Sequence, residues 1–127
     1  MKKTTLILFY FFISVLCFGQ KQFEHLTPTK ENILLVCNYH NIQHSKYVLA
    51  QAIQECGLKP PHNNLFGLTH RRGLYKFPHW SYSVQSYKEK IQSRYRKGEN
   101  YLAFLKRVKY AEDPHYTKKI SKIVNTL

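Results

Sequence analysis

The sequence predicts an α+β domain, mostly helical, with one small β-hairpin. Apolar residues recur at helical spacing in several separate stretches, each bounded by a glycine or a proline. One short segment, 66 to 77, instead carries two aromatic-rich runs on either side of a turn ending in Gly73. No repeat, linker or low-complexity stretch interrupts the pattern.

Residues 20 to 28 are polar. Thr27-Pro28 reads as an N-cap with proline in the first turn, opening a helix through Ile33, Leu34, Val36 and Cys37 that fades near Asn38 to Asn41. Ser45 is expected to cap the next helix. On it Val48, Leu49, Ala52, Ile53 and Cys56 share one face, Gly57 supplies the stop, and Pro60-Pro61 forbids continuation. The hairpin is expected from Phe66-Gly67-Leu68-Thr69 and Leu74-Tyr75-Lys76-Phe77, with His70-Arg71-Arg72-Gly73 as the turn. Trp80, Val84, Tyr87, Ile91 and Tyr95 then form a helical stripe ended by Gly98. A helix from Asn100 to Tyr110 should turn Leu102, Leu105 and Val108 inward. Asp113-Pro114 should cap and open a last helix through Tyr116, Ile120, Ile123 and Val124.

The chain opens like an export signal: Lys2 and Lys3, an apolar run from Leu6 to Leu16, then Cys17-Phe18-Gly19, with cleavage expected before Gln20. The apolar run is short for a membrane span, which needs about 20 residues. Residues 1–19 are therefore assigned as signal peptide and 20–127 as one domain, destined for the periplasm or the exterior. Without the two leading lysines the formal charge falls from +13 to +11. Such a field favours polyanions, and export makes a cell-wall polymer a better partner than nucleic acid. Cys37 and Cys56 remain after cleavage; either a disulfide or two buried thiols on facing helices fits the spacing. No cysteine–histidine spacing suits zinc, and neither metal nor cofactor is expected.

Glu55 is the candidate catalytic residue, although its helix alone equally suits an ordinary rim glutamate without a catalytic role. The 33 residues from 56 to 88 contain neither Asp nor Glu, so carboxylate chemistry in this region must use Glu55. At 100° per residue it falls roughly a quarter-turn from the centre of its helix's apolar face, on the border between core and solvent. It also lies in the last turn, where the helix dipole opposes ionisation. Partial burial acts the same way, and both raise its pKa, as a proton donor near neutral pH requires.

Four segments carry a resemblance to a known family. They are Val48-Leu49-Ala50-Gln51-Ala52-Ile53-Gln54-Glu55-Cys56-Gly57, Asn63-Asn64-Leu65-Phe66-Gly67-Leu68, Phe77-Pro78-His79-Trp80-Ser81-Tyr82-Ser83-Val84 and Tyr110-Ala111-Glu112-Asp113-Pro114-His115-Tyr116. In that order they resemble the glucosaminidases of glycoside hydrolase family 73, which cleave peptidoglycan. The resemblance implies a goose-type lysozyme-like fold with a β-hairpin beside a groove. It also implies hydrolysis of the β-1,4 bond after N-acetylglucosamine, with no cofactor. By position Glu55 matches the general acid, Asn63, Asn64 and Phe66 the groove floor, and Tyr110 a tyrosine near the catalytic centre. Asp113 matches an aspartate of the same segment, whereas its own sequence context reads as a helix cap.

The chain departs from the family pattern at Cys56, where Ser or Thr is usual, and in the short link Leu58-Lys59-Pro60-Pro61-His62. The hairpin, where some members carry a second acidic residue, has none. The substrate's own N-acetyl oxygen is one replacement; a water oriented by Tyr110 or Asp113 is another. Tyr75, a candidate for substrate binding, and Tyr82 suit either stacking on sugars or packing in the core, while Trp80, Val84 and Tyr87 belong to the core. His62, His70, His79 and His115 read as solvent-facing loop residues, and Arg71-Arg72 as a solvated hairpin tip able to hold wall carboxylates. A monomer is expected. The alternatives are a glycan-binding module of the same fold without turnover, favoured by the short link, and an exported polyanion binder.

Overall fold

A computed structural model of the chain describes residues 21–127. The expected signal peptide and its cleavage point before Gln20 lie outside the described residues. In chain order the elements are α1 (Lys30–Tyr39), α2 (Ser45–Cys56), β1 (Thr69–His70), β2 (Gly73–Leu74), α3 (Trp80–Lys90), α4 (Tyr101–Arg107) and α5 (Tyr116–Val124). Single 3-10 turns occur at Pro61–Asn63 and Gln92–Arg94. The α+β class, mostly helical with one hairpin, is the one the sequence predicts.

The helix starts differ from expectation in instructive ways. Thr29, not Thr27, caps α1: its side chain accepts from Asn32 N at 3.2 Å, while Thr27 offers its carbonyl to Asn32 Nδ2. Pro28 therefore precedes the cap. Ser45 does not cap α2; it is the first helical residue, and His44 in the left-handed region (φ 55°) takes the cap position without a side-chain bond. Asp113 does not cap α5 directly either. Its Oδ1 accepts from His115 N at 2.8 Å and its Oδ2 pairs with Lys119 at 2.6 Å, so it braces the turn before the helix begins at Tyr116.

Helix α2 is the centre of the molecule, packed against α1 and α5. Being covered on two sides, it buries Val48, Leu49, Ala50, Gln51 and Ala52, an arc wider than the expected stripe, and leaves Ile53 and Cys56 half-buried. Gly57 at φ 58° ends it, donating to Ile53 O at 2.8 Å. Its C-terminal turn, with Glu55, is thus carried out of the core towards the loop that follows.

The stripe Trp80, Val84, Tyr87 and Ile91 is buried as its spacing predicts, but α3 stops at Lys90. Tyr95 is half-buried and extended, its hydroxyl donating to Glu99 O at 2.7 Å, so Gly98 serves the next turn and not this helix. In α4 the fully inward residues are Tyr101, Phe104 and Leu105; Leu102 and Val108 are half-buried.

The core contains a polar cluster that binds α2, α3, α4 and α5 together. The Tyr87 hydroxyl donates to Gln51 Oε1 and lies 2.5 Å from the Tyr101 hydroxyl, and Gln51 Nε2 donates to Tyr116 Oη at 3.3 Å. A fully buried glutamine is tolerable only because both ends of its amide are used. Cys37 and Cys56 are both free thiols. Burial pushes Cys37 up to about 12, and Cys56 Sγ donates to Ala52 O. Dithiothreitol is accordingly expected to leave the melting temperature unchanged, as a thermal scan with and without reductant would show.

Candidate active site

The loop from Pro61 to Leu68 runs beside the C-terminal end of α2 and is shaped by two asparagines. Asn63 adopts φ 60° and its Nδ2 donates to Phe77 O at 3.0 Å. Asn64 is buried, and its amide is fully occupied. Nδ2 donates to Leu68 O (2.8 Å) and Tyr75 O (3.0 Å), while Oδ1 accepts from Leu68 N (3.0 Å) and Phe66 N (3.4 Å). Tyr75 N returns a bond to Leu68 O at 2.9 Å, extending the hairpin beyond its two paired residues, Thr69 with Leu74 and His70 with Gly73. The turn proper is Arg71-Arg72, tighter than the four residues expected. Asn64→Ala would strand several of these backbone groups; it is expected to cost about 2–4 kcal/mol, read as a lowered denaturation midpoint.

Glu55 lines an open cavity of about 440 Å³ with Phe66, Gly67, Tyr110 and Ala111, and Thr69, Lys90, Arg94 and Lys109 line it too. It is the only carboxylate of that lining. As a whole residue Glu55 is exposed, but its carboxyl end turns in against the loop: a Cβ at Gly67 would stand 3.0 Å from Oε2. Desolvation there raises the carboxyl above its usual range, and hydrogen bonding by Tyr116 opposes part of that rise. The surface area of the residue and the desolvation of its carboxyl describe different atoms, and the carboxyl is what bears on chemistry.

The other sequence candidates divide into two groups. Phe66 and Tyr110 come to the Glu55 cavity. Phe66 is buried, packed on Tyr87 with ring centres 4.6 Å apart, and presents its carbonyl to the Tyr110 hydroxyl at 2.7 Å. Tyr110 also stacks on Tyr116 at 5.5 Å, and burial holds its hydroxyl protonated well beyond the usual phenol range. Asn63 and Asn64 direct their amides into the protein, where they hold the loop. Tyr75 lines a neighbouring cavity of about 340 Å³ with Phe77, Tyr82 and Glu89; Lys90 borders both cavities. On the opposite side Lys109 and Ala111 are shared with a third, of about 210 Å³, that includes Glu112, Asp113 and Tyr116. The cavity that Glu55 lines therefore adjoins both of the others.

Sequence reasoning missed the cationic lining of the central cavity, because Lys90, Arg94 and Lys109 belong to three separate segments. It also misread His79. This residue is half-buried and caps α3: Nδ1 accepts from Ser81 N, which leaves Nε2 to donate to Leu26 O at 3.1 Å. His-Trp followed by Ser was the available signal for a cap. Among the described residues no group of three or more His, Cys, Asp or Glu is placed to hold a metal.

Glu55 thus presents a partly desolvated carboxyl to a cavity that shares lining residues with two others. The chain belongs to the glucosaminidase family: the family model described as mannosyl-glycoprotein endo-beta-N-acetylglucosaminidase matches residues 30–127, which is everything from α1 onward. No curated protein sequence matches it. Membership makes it a peptidoglycan glycosidase in general terms, with the wall glycan as substrate. No helix among the described residues is long and apolar enough to cross a membrane.

Proposed function

We propose that the protein is an exported endo-β-N-acetylglucosaminidase that hydrolyses the β-1,4 bond following N-acetylglucosamine in peptidoglycan, with Glu55 as general acid. The observation that carries this reading is the solitary, desolvated Glu55 carboxyl in the central cavity. A raised pKa keeps it protonated to higher pH than a free glutamate, able to give its proton to the departing glycosidic oxygen.

A retaining or inverting hydrolase of the usual kind needs a second carboxylate within about 10 Å. The cavity lining supplies none. Asp113, in the flanking depression, is held by Lys119 and His115 N. The Tyr110 hydroxyl is committed to Phe66 O. This favours the substrate-assisted route: the N-acetyl carbonyl oxygen attacks the anomeric carbon as the C–O bond breaks, and the Glu55 proton goes to the leaving oxygen. Water then opens the cyclic intermediate and its proton returns to Glu55. Tyr110 and, further along, Tyr75 supply the aromatic surface for sugar faces, while the buried Phe66 ring backs the cavity from the core.

A second reading, a wall-binding module without turnover, is favoured by one observation. The link after α2 is short and tightly folded as a 3-10 turn at Pro61–Asn63, with no carboxylate on the hairpin. Incubation with purified peptidoglycan separates the two. New reducing ends support the hydrolase; sedimentation with the wall and no new ends supports the binder.

A further inference from the structure

The cavity around Glu55 is positively charged on one side. Lys90 at the end of α3, Arg94 in the following 3-10 turn and Lys109 after α4 all line it. None is paired with a carboxylate: among the described residues the ion pairs are Arg107 with Glu99 and Lys119 with Asp113. Lys90 Nζ rests on Tyr75, 2.9 Å from its hydroxyl, and Arg94 Nε donates to Lys90 O. The three cations do not neutralise Glu55 either, which lies beyond ion-pair distance of all of them. Three cations without a carboxylate partner lining one cavity of about 440 Å³ offer a site to an anion from outside. Arg71 and Arg72, the expected holders of wall carboxylates, lie instead on the exposed hairpin turn and do not line this cavity.

Resting on the peptidoglycan reading above, we propose that Lys90, Arg94 and Lys109 form a carboxylate-binding wall that engages the muramyl residue next to the scissile bond. Guanidinium and ammonium groups bind carboxylates through charge-assisted hydrogen bonds. A muramyl residue offers them from two sources, its peptide stem or, once the stem is removed, its lactyl group. Chitin oligomers have the same β-1,4 linkage and N-acetyl group but no carboxylate. The cationic wall therefore distinguishes wall glycan from chitin.

The test compares the wild type with an Arg94→Gln/Lys109→Gly variant. Arg94 is exposed, and Lys109 has φ 52°, where glycine is the residue best suited to the backbone, so the fold is preserved. Values of kcat/KM are measured on soluble glycan strands with stems, on the same strands after amidase treatment, and on chitin oligomers. The wild type is expected to prefer a carboxylate-bearing strand to chitin by about tenfold or more, and the variant to lose most of that ratio. Preference confined to strands with stems assigns the stem; preference confined to amidase-treated strands assigns the lactyl group; equal preference for both assigns a wall that takes either carboxylate. A ratio near one in the wild type, or one unchanged in the variant, overturns the proposal. In parallel, calorimetry in a Glu55→Gln background measures binding of a disaccharide-peptide against chitobiose. Carboxylate-selective binding lost on removing Arg94 and Lys109, with no turnover of any strand, would sustain this wall while ending the hydrolase reading.

Discussion

Replacing Glu55 with glutamine is expected to reduce reducing-end release from peptidoglycan by about 10³-fold or more, since general acid catalysis is worth roughly 10²–10⁴ and no other carboxylate lines the cavity to take over. The same change should not weaken the fold. The folded-state pKa of Glu55 is raised, so its neutral form is the one the native structure favours. That favourable contribution is complete below the unfolded glutamate pKa and is lost as pH rises through the higher folded value. Glutamine keeps the neutral shape at all pH. The variant is therefore expected to melt at or above the wild-type temperature at neutral pH, with the difference shrinking in acid, where Glu55 itself is neutral. Paired melting curves at neutral pH and near pH 4 check this. Wild-type clearing by the variant would remove Glu55 from the chemistry; a lower melting temperature at neutral pH would show the carboxylate to be a structural partner.

Gly67→Ala is the second substitution with a large expected effect, and it acts on the same carboxyl from the other side. Gly67 has φ 64°, and a Cβ there would lie 3.0 Å from Glu55 Oε2. Two costs follow. The left-handed backbone strains any L-residue with a side chain by roughly 1–2 kcal/mol. The contact is relieved cheaply, because the atom that must move is the free end of a flexible side chain, but that end is the proposed proton donor. Displacement by even a fraction of an ångström disturbs its alignment with the glycosidic oxygen. The expected result is at least a tenfold fall in kcat with only a modest drop in melting temperature. A loss of stability with kcat intact would mean that Gly67 matters to the turn alone.

The sequence carried the helices and the position of Glu55 because both depend on local order. Tyr87 and Ile91 are buried where a 3.6-residue period puts them, and Gly57 ends α2 where a left-handed residue is needed. The same period places Glu55 at the rim of its helix, and the short distance to Asn64 leaves it little choice but to face that loop. What escaped is non-local. Gln51 lies outside the apolar face read for its helix and is fully buried because α3 and α5 bring Tyr87 and Tyr116 to its amide. Asn64 matches a groove motif in one dimension, whereas in three its amide satisfies four backbone groups. Lys90, Arg94 and Lys109 are unremarkable among 20 basic residues until the chain folds them around one cavity. Helix starts were misplaced where several residues compete to cap: Thr27 with Thr29, Ser45 with His44, Asp113 with His115.

The amide of Asn64 has one more implication. It fastens Leu68, on the way into the hairpin, to Tyr75, on the way out, and the strands themselves pair over only two positions. So short a ribbon has almost no persistence of its own. If Asn64 lets go, the ribbon frays, Gly67 drifts from Glu55, and the carboxyl is rehydrated, which lowers its pKa. Dismantling the ribbon and disarming the proposed acid are then a single event, governed by one buried side chain outside the cavity lining.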